Sequence, residues 1–423
     1  MEKIQRNSLA GKTITAIVIG AGSRGWGAYG SYGLKYPEEL QVVGVAEPIP
    51  YRRERMAKAF NIPKDKQFVT WKQVFALPKF ADALIVTTPD ELHYGPAMAG
   101  LEMGYDMILE KVIAQTWQEC NDILQLAERK NAIVAVCHVL RYNAYFRKMK
   151  EVVDAGTIGE LVSVQHLEPM ERIHMTHSFV RGNWGNSRKS NPAILSKSCH
   201  DTDILRWIIN KPCTKVSSFG SLILFREENA PAGSTERCTG GCPVERECPY
   251  SAIKLYLEQR FLLQHLNLEE VNDGTILREL NNGPYGRCVY RCDNDVVDHQ
   301  ISNFEFEEGI TAALSMEGLS HYGGRRTRIF GTEGDLFGDE QTLTITNVLN
   351  GKQEVWDARK DLESDSGHGG GDHGLVHDFV QAVRAGDAQL LSSTIQVSME
   401  SHLMGFQAEA SRLDGGRLRE ISL

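Results

Sequence analysis

No run of about 18 apolar residues occurs in this chain, so nothing in it reads as a membrane-spanning helix. It has no stripe of positive charge either. Lysine and arginine total 46 against 55 aspartates and glutamates, a formal net charge of -9. A mildly acidic chain without a basic face is a poor partner for nucleic acid or an anionic membrane. Internal repeats and low-complexity tails are missing. No signal peptide is expected, since the first apolar run, Ile14 to Ile19, is short and leads straight into glycines. The expected compartment is therefore the cytoplasm. There the nine cysteines, an odd number, read as thiols and not as a disulfide framework.

What is there is an ordinary globular composition, 42% hydrophobic and 24% charged, over 423 residues. That length is too great for one core, so two domains are expected. From about residue 12 to 138, strand and helix signals alternate. Apolar runs occur at TAIVIG, QVVGVAE, DALIVTTP, DMILE and AIVAVCH. Continuous runs of this kind suit parallel strands covered on both faces. The clearest helix runs from Thr116 to Lys130, opened by a Thr116/Glu119 capping box and closed at Asn131. The reading is an α/β Rossmann domain over residues 1–139.

Beyond about Lys150 the pattern changes to strands and glycine turns. Phe304–Phe306 and Ala312–Met316 flank Glu308-Gly309 as a hairpin. Residues 140–423 read as an α+β domain with a large open, mostly antiparallel sheet. Helices are expected near Asp201–Ile209, Ser251–Gln264, Leu375–Arg384 and Thr394–Arg412. A cysteine-rich excursion spans roughly 227–292, and the glycine-rich stretch 364–374 reads as a flexible loop.

Gly20-Ala21-Gly22-Ser23-Arg24-Gly25 follows the first strand and matches G-x-G-x-x-G. Gly20 permits the turn, Gly22 lets backbone approach a pyrophosphate, and Gly25 lets helix and strand pack closely. Phosphates then face the helix N-terminus. Glu47 ends the second strand, where a carboxylate accepts both ribose hydroxyls of NAD and repels the 2′-phosphate of NADP. Arg52 and Arg53 lie close by and are suited to that phosphate, so NAD is the expected cofactor and NADP the weaker alternative.

Four further stretches complete a pattern. Thr87-Thr88-Pro89 with His93 ends the next strand, Glu110-Lys111 the one after, and Arg141-Tyr142 follows AIVAVCH. His200-Asp201-Thr202-Asp203 opens a helix in the second domain. Together these stretches resemble the glucose-fructose oxidoreductase / inositol dehydrogenase (Gfo/Idh/MocA) family over nearly the whole chain, including GTEGDL at Gly331–Leu336 and the stretch Ala408–Arg412. The resemblance implies oxidation or reduction of a sugar or cyclitol carbon with NAD(P), and a sheet-mediated homodimer or homotetramer. It implies that Lys111, from a Glu-Lys-Pro motif written here Glu110-Lys111-Val112, lies beside nicotinamide and substrate. It implies that His200 relays the proton or orients the hydroxyl. Proton transfer by such groups is general acid–base catalysis. The usual Asp four residues before that histidine is Ser196 here, with Lys197 beside it as a third catalytic candidate.

Arg24, Thr88, Pro89, His93, Glu110, Arg141 and Trp184 are the remaining expected cofactor contacts. Trp184 is equally readable as a wall for a sugar face or as a plain buried tryptophan. His166, Glu168, His177 and His368 join Lys111, Lys197 and His200 as candidate substrate contacts, with Asp372 beside His368 in the glycine-rich loop and Arg181 and Asn183 next to Trp184. Cys238, Cys242, Cys248 and Cys292, with Cys288 nearby, read as packed thiols, as a disulfide formed only in vitro, or as a structural zinc site; no catalytic metal is expected. Three functions compete: a sugar or glycoside dehydrogenase, a glycosidase that recycles NAD through transient sugar oxidation, and a non-catalytic NAD(H)-binding redox sensor. Retention of Lys111 and His200 speaks against the last.

Overall fold

The five apolar runs become parallel strands, as residues buried on both faces require. In the computed structural model, which describes residues 9, 11–266, 268–360 and 367–422, they are β1 (Ile14–Ile19), β2 (Leu40–Ala46), β4 (Ala83–Val86), β5 (Asp106–Leu109) and β6 (Val134–Val136). A two-residue edge strand, β3 (Gln67–Phe68), too short to leave a sequence signal, completes the sheet. Its order is β3-β2-β1-β4-β5-β6, the doubly wound dinucleotide-binding order. The helix Trp117–Lys130 has the expected capping box, and Asn131 closes it in the left-handed region at φ 51°.

The second sheet has nine strands: β7 (Leu161–Glu168), β8 (Cys213–Ser221), β9 (His299–Phe306), β10 (Thr311–Glu317), β11 (Arg326–Gly331), β12 (Gly334–Gly338), β13 (Thr342–Asn347), β14 (Gln353–Asp357) and β15 (Arg419–Glu420). They run β14-β13-β12-β11-β7-β10-β9-β8-β15. Only the β7–β10 pair is parallel. β9 and β10 form the expected hairpin, turning at Glu308 and Gly309 with φ of 63° and 79°. Phe304, Phe306, Ala312 and Leu314 point to one face, where they pack with Ile204 and Leu205 of the helix Cys199–Ile209 and with Leu403 and Met404 of the helix Ile395–Leu413. The opposite face exposes Val162, Phe219, Ile301, Phe337 and Val355.

Three expectations change. The helix expected over Ser251–Gln264 is a short helical turn, Ile253–Glu258, ending where Arg260 and Leu262 adopt positive φ. A capped helix, Asp273–Asn282, stands instead in the second half of the excursion. Of the presumed loop 364–374, residues 364–366 lie outside the described residues. Gly367–Gly370 form a turn, and a helix already begins at Gly371 (Gly371–Ala385). That helix returns to the first sheet: Leu375, Val376 and Phe379 pack with Tyr29, Val139 and Tyr142. Among the described residues no helix is long and apolar enough to cross a membrane.

Candidate active site

The glycine loop is built as its spacing requires. A Cβ on Gly20, which has φ 95°, would lie 2.6 Å from Thr87 O, and one on Gly25 would lie 2.0 Å from Gly20 O. A Cβ on Gly22 would meet only Arg52 Nη1, at 3.5 Å, so the space above Gly22 is open to a ligand. Glu47 is buried at the end of β2. Its Oε2 accepts from Ala21 N at 2.7 Å and its Oε1 from Ile49 N at 2.9 Å. A carboxylate offers about four acceptor sites, which leaves two for a ribose diol. Ser23 and Pro89 are exposed, and Thr88 Oγ1 is enclosed without a partner. These groups fit a dinucleotide.

Arg24 reaches away from the loop. Its Nε donates to Glu110 Oε1 at 2.5 Å, and its Nη2 lies 2.9 Å from Asp372 Oδ1. Tyr29 donates to the same Glu110 oxygen at 2.6 Å, and Glu110 Oε2 accepts the backbone N–H of Lys111 at 2.9 Å. Burial alone would raise the Glu110 carboxyl, but the charges of Arg24 and Lys111 hold it below its usual range. Glu110 is therefore a fixed anion that sets the backbone of Lys111. His93 braces the same turn, with Nδ1 2.6 Å from Val112 O and Nε2 2.9 Å from Thr88 O.

Lys111 then crosses to the second domain, where its Nζ donates to Ser196 O at 2.6 Å and lies 5.3 Å from the centre of the Trp184 ring. Trp184 donates from Nε1 to Asp90 at 3.2 Å, a carboxylate that also accepts from Ser190 at 3.0 Å. Beside Lys111 stands His200. Burial pushes its imidazole well below the ordinary histidine range, and Lys111, His368, Arg325 and His138 around it push the same way. Its Nδ1 is enclosed and has no hydrogen-bond partner. His174, which carried no sequence signal, is pushed down to about 3 by burial and then by Lys197, His177, His265 and Lys111. His200 and His174 are thus neutral imidazoles around one ammonium.

Lys197 points at Glu168, with Nζ 2.9 Å from Oε1. Arg325 holds the other Glu168 oxygen at 2.9 Å and Asp201 Oδ1 at 2.5 Å. Each cation of this wall is therefore paired. His368 is partly exposed, binds Asp372 at 3.1 Å, and places its ring 6.1 Å from that of His200.

Besides Arg24, Glu110 and His93, which brace the turn of Lys111, three expected contacts are placed elsewhere. Arg141, expected at the cofactor, is buried against Asp203 through two bonds of 2.7 Å and also donates to Ser392 O at 2.6 Å. His166 is fully buried, its ring nitrogens taken by Thr327 at 2.8 Å and Asp201 at 3.0 Å, so it supports Asp201 from behind. His177 lies in an aromatic layer, stacked on Tyr285 with ring centres 4.6 Å apart and bonded to Tyr256 at 2.8 Å. Asp90, Arg325 and His174 were not legible in sequence, because each acquires its role only from partners on distant segments.

A family model for the NAD-binding Rossmann fold of the Gfo/Idh/MocA oxidoreductases matches residues 14–138, and the model of their C-terminal alpha/beta domain matches residues 150–400. The chain belongs to the Gfo/Idh/MocA oxidoreductase family. YteT of Bacillus subtilis (strain 168) is 24% identical over 315 residues, covering 70% of this chain and 72% of that protein. Inositol 2-dehydrogenase 1 of Saccharopolyspora erythraea is 27% identical over 137 residues, 32% of this chain and 37% of that protein. Among solved structures, a levoglucosan dehydrogenase in complex with NADH and L-sorbose superposes with a TM-score of 0.72 at 16% identity, covering 97% of this chain and 99% of that one. An inositol dehydrogenase homologue from Azotobacter vinelandii, complexed with NADH and myo-inositol, gives 0.68 at 14% identity, covering 98% and 99%. Similarity at that identity speaks to the fold. Membership in this Gfo/Idh/MocA family makes the chain an oxidoreductase-family protein with an NAD-binding Rossmann fold.

Proposed function

We propose that the protein oxidises a secondary hydroxyl, or reduces the matching ketone, of a sugar, glycoside or cyclitol. The observation that carries this reading is the position of Lys111. Its ammonium bridges from the end of β5 to a neutral carbonyl of the second domain and stands beside the neutral imidazole of His200. Bound NAD supplies the hydride acceptor. Gly20, Gly22, Ser23 and Gly25 provide the backbone for its pyrophosphate, Glu47 the acceptors for its ribose, and Thr88 and Pro89 the wall of its pocket.

In oxidation Lys111 Nζ takes up the hydroxyl proton; in reduction it returns one. His200 binds the same oxygen and shares the proton. Trp184 walls the sugar face and is fixed there by Asp90. Lys197 holds Glu168 in place, and the Glu168–Arg325–Asp201 set forms the floor. His368 closes the mouth of the site. Glu47 favours NAD over NADP, because its two carboxylate oxygens, each with an acceptor site left over from the backbone, accept from ribose hydroxyls and repel a 2′-phosphate. The exposed face of the nine-stranded sheet pairs two copies of the chain. A screen of polyols and glycosides for NADH formation, with free-sugar release measured in parallel, tests the reading. Turnover of a secondary alcohol supports it; release of sugar without net NADH overturns it in favour of glycoside cleavage.

A further inference from the structure

Four cysteines of the excursion, Cys238, Cys242, Cys248 and Cys288, line one cavity of about 20 Å³, room for a single atom-sized occupant. An antiparallel bridge between Arg237 and Arg287 builds one side of it. There Cys238 N donates to Gly286 O at 3.0 Å and Cys288 N to Glu236 O at 2.9 Å. Alternation across such a bridge puts Cys238 and Cys288 on the same face. The turn through Gly240 and Gly241, the latter at φ 73°, carries the chain on to Cys242. Cys292, expected at this site from sequence, is not on the cavity wall; its Sγ is turned to Cys288 O at 3.3 Å.

A second observation is Arg181. It lines the same cavity and is only 1% exposed. Its Nε donates to Arg287 O at 2.7 Å, and its Nη2 donates to Tyr250 O at 2.6 Å and reaches Cys238 Sγ at 3.8 Å. Its Nη1 is enclosed without a partner. All these partners are neutral as described. Glu245, the carboxylate on the cavity wall, accepts instead from the Ser251 hydroxyl. A buried guanidinium without a counter-charge is costly, and removal of such a charge from water is offset only by an anion close by. The thiols are the groups around Arg181 placed to become that anion.

We propose that Cys238, Cys242, Cys248 and Cys288 bind one zinc ion, with Arg181 as its neutralising neighbour. On binding, four thiols release four protons and four zinc–sulfur bonds form. The resulting tetrathiolate carries two negative charges, one of which Arg181 cancels. Among the described residues no three such side chains already stand as a metal-ligating group, so the thiols turn inward as the ion enters. The role is structural. Arg181 ends the helical segment Met175–Arg181, which His174 immediately precedes, so the ion ties the excursion to the wall that faces Lys111.

The test uses the full chain purified without chelator, with bound metal measured by elemental analysis. The expected result is about one zinc per chain, released stoichiometrically as a mercurial titrates four thiols. Cys288→Ser is expected to lower bound zinc at least about tenfold, while Cys292→Ser retains it. If Cys288→Ser does not fold, chelation of the wild-type chain replaces it, and a lowered Tm restored by zinc alone is the supporting result. Protein grown with zinc that carries none and has free or disulfide-paired cysteines overturns the proposal. So do iron with inorganic sulfide, and zinc loss in Cys292→Ser equal to that in Cys288→Ser.

Discussion

Lys111 carries the chemistry of this account, so its removal should be the most damaging single change. Lys111→Ala is expected to lower kcat by about 10² to 10⁴ while the dissociation constant for NAD stays within about twofold. His200→Ala should do the same to a smaller degree. Lys197→Ala should act mainly on KM, because its ammonium holds Glu168 and does not point at the Lys111 amine. Steady-state kinetics and nucleotide titration separate these cases, and a loss of kcat in Lys197→Ala equal to that in Lys111→Ala would place Lys197 in the proton-transferring set. Glu47→Ala should narrow the preference for NAD over NADP, read as the ratio of the two dissociation constants by fluorescence quenching. At this scale the sequence was legible where one residue type answers to one backbone demand, as at Gly20, Gly25 and Glu47. It was silent where a role is created by partners. Arg24 looks like a loop residue until Glu110, 86 positions away, and Asp372, 348 positions away, close on its guanidinium. Arg141 and His166 sat in motif-rich stretches and yet point into the core, because a side chain's direction depends on packing that no spacing records.

Elements were legible where their pattern was long. The five parallel strands and the β9–β10 hairpin follow from runs and alternation, and the helix Trp117–Lys130 follows from its caps. The excursion was not, because the helix Asp273–Asn282 is fixed by Ile276 and Leu280 packing on Ala252, Leu255 and Tyr256, and the turns by Arg181 holding Arg287 O and Tyr250 O. The glycine turn makes the sharpest prediction at this scale. In Gly25→Ala the new methyl would stand 2.0 Å from Gly20 O, so loop and helix must separate. The variant should lose NAD affinity by at least about tenfold, and should be less stable by more than the roughly 1 kcal/mol typical of a point change. Isothermal titration and urea unfolding measure the two effects; retained affinity would show that Gly25 is not needed for close packing.

For the whole molecule the strongest physical statement concerns pH. Burial holds His138 at about 4 and His174, His177 and His402 at about 3. In the unfolded chain histidines titrate near 6.5, so between roughly pH 6.5 and 3 the unfolded state binds more protons. The stability these neutral imidazoles contribute is full above about pH 6.5 and is lost as pH falls through that window. Urea midpoints at pH 7.5 and about 5 should therefore differ clearly, with the lower value at the lower pH; equal midpoints would show that these rings are not buried as described. The open sheet face predicts a dimer by light scattering at micromolar concentration, and a monomer there would remove that part of the account.

The central claim is that Lys111, at the meeting of the two sheets, moves the proton of a sugar hydroxyl. The most direct measurement is turnover of the polyol found in the substrate screen, followed by reduced-nicotinamide absorbance, for wild type and Lys111→Ala at equal nucleotide saturation. The account predicts NADH formation by the wild type and a fall of at least about 100-fold in the variant. Near-normal turnover by Lys111→Ala, with NAD bound equally well, would contradict it.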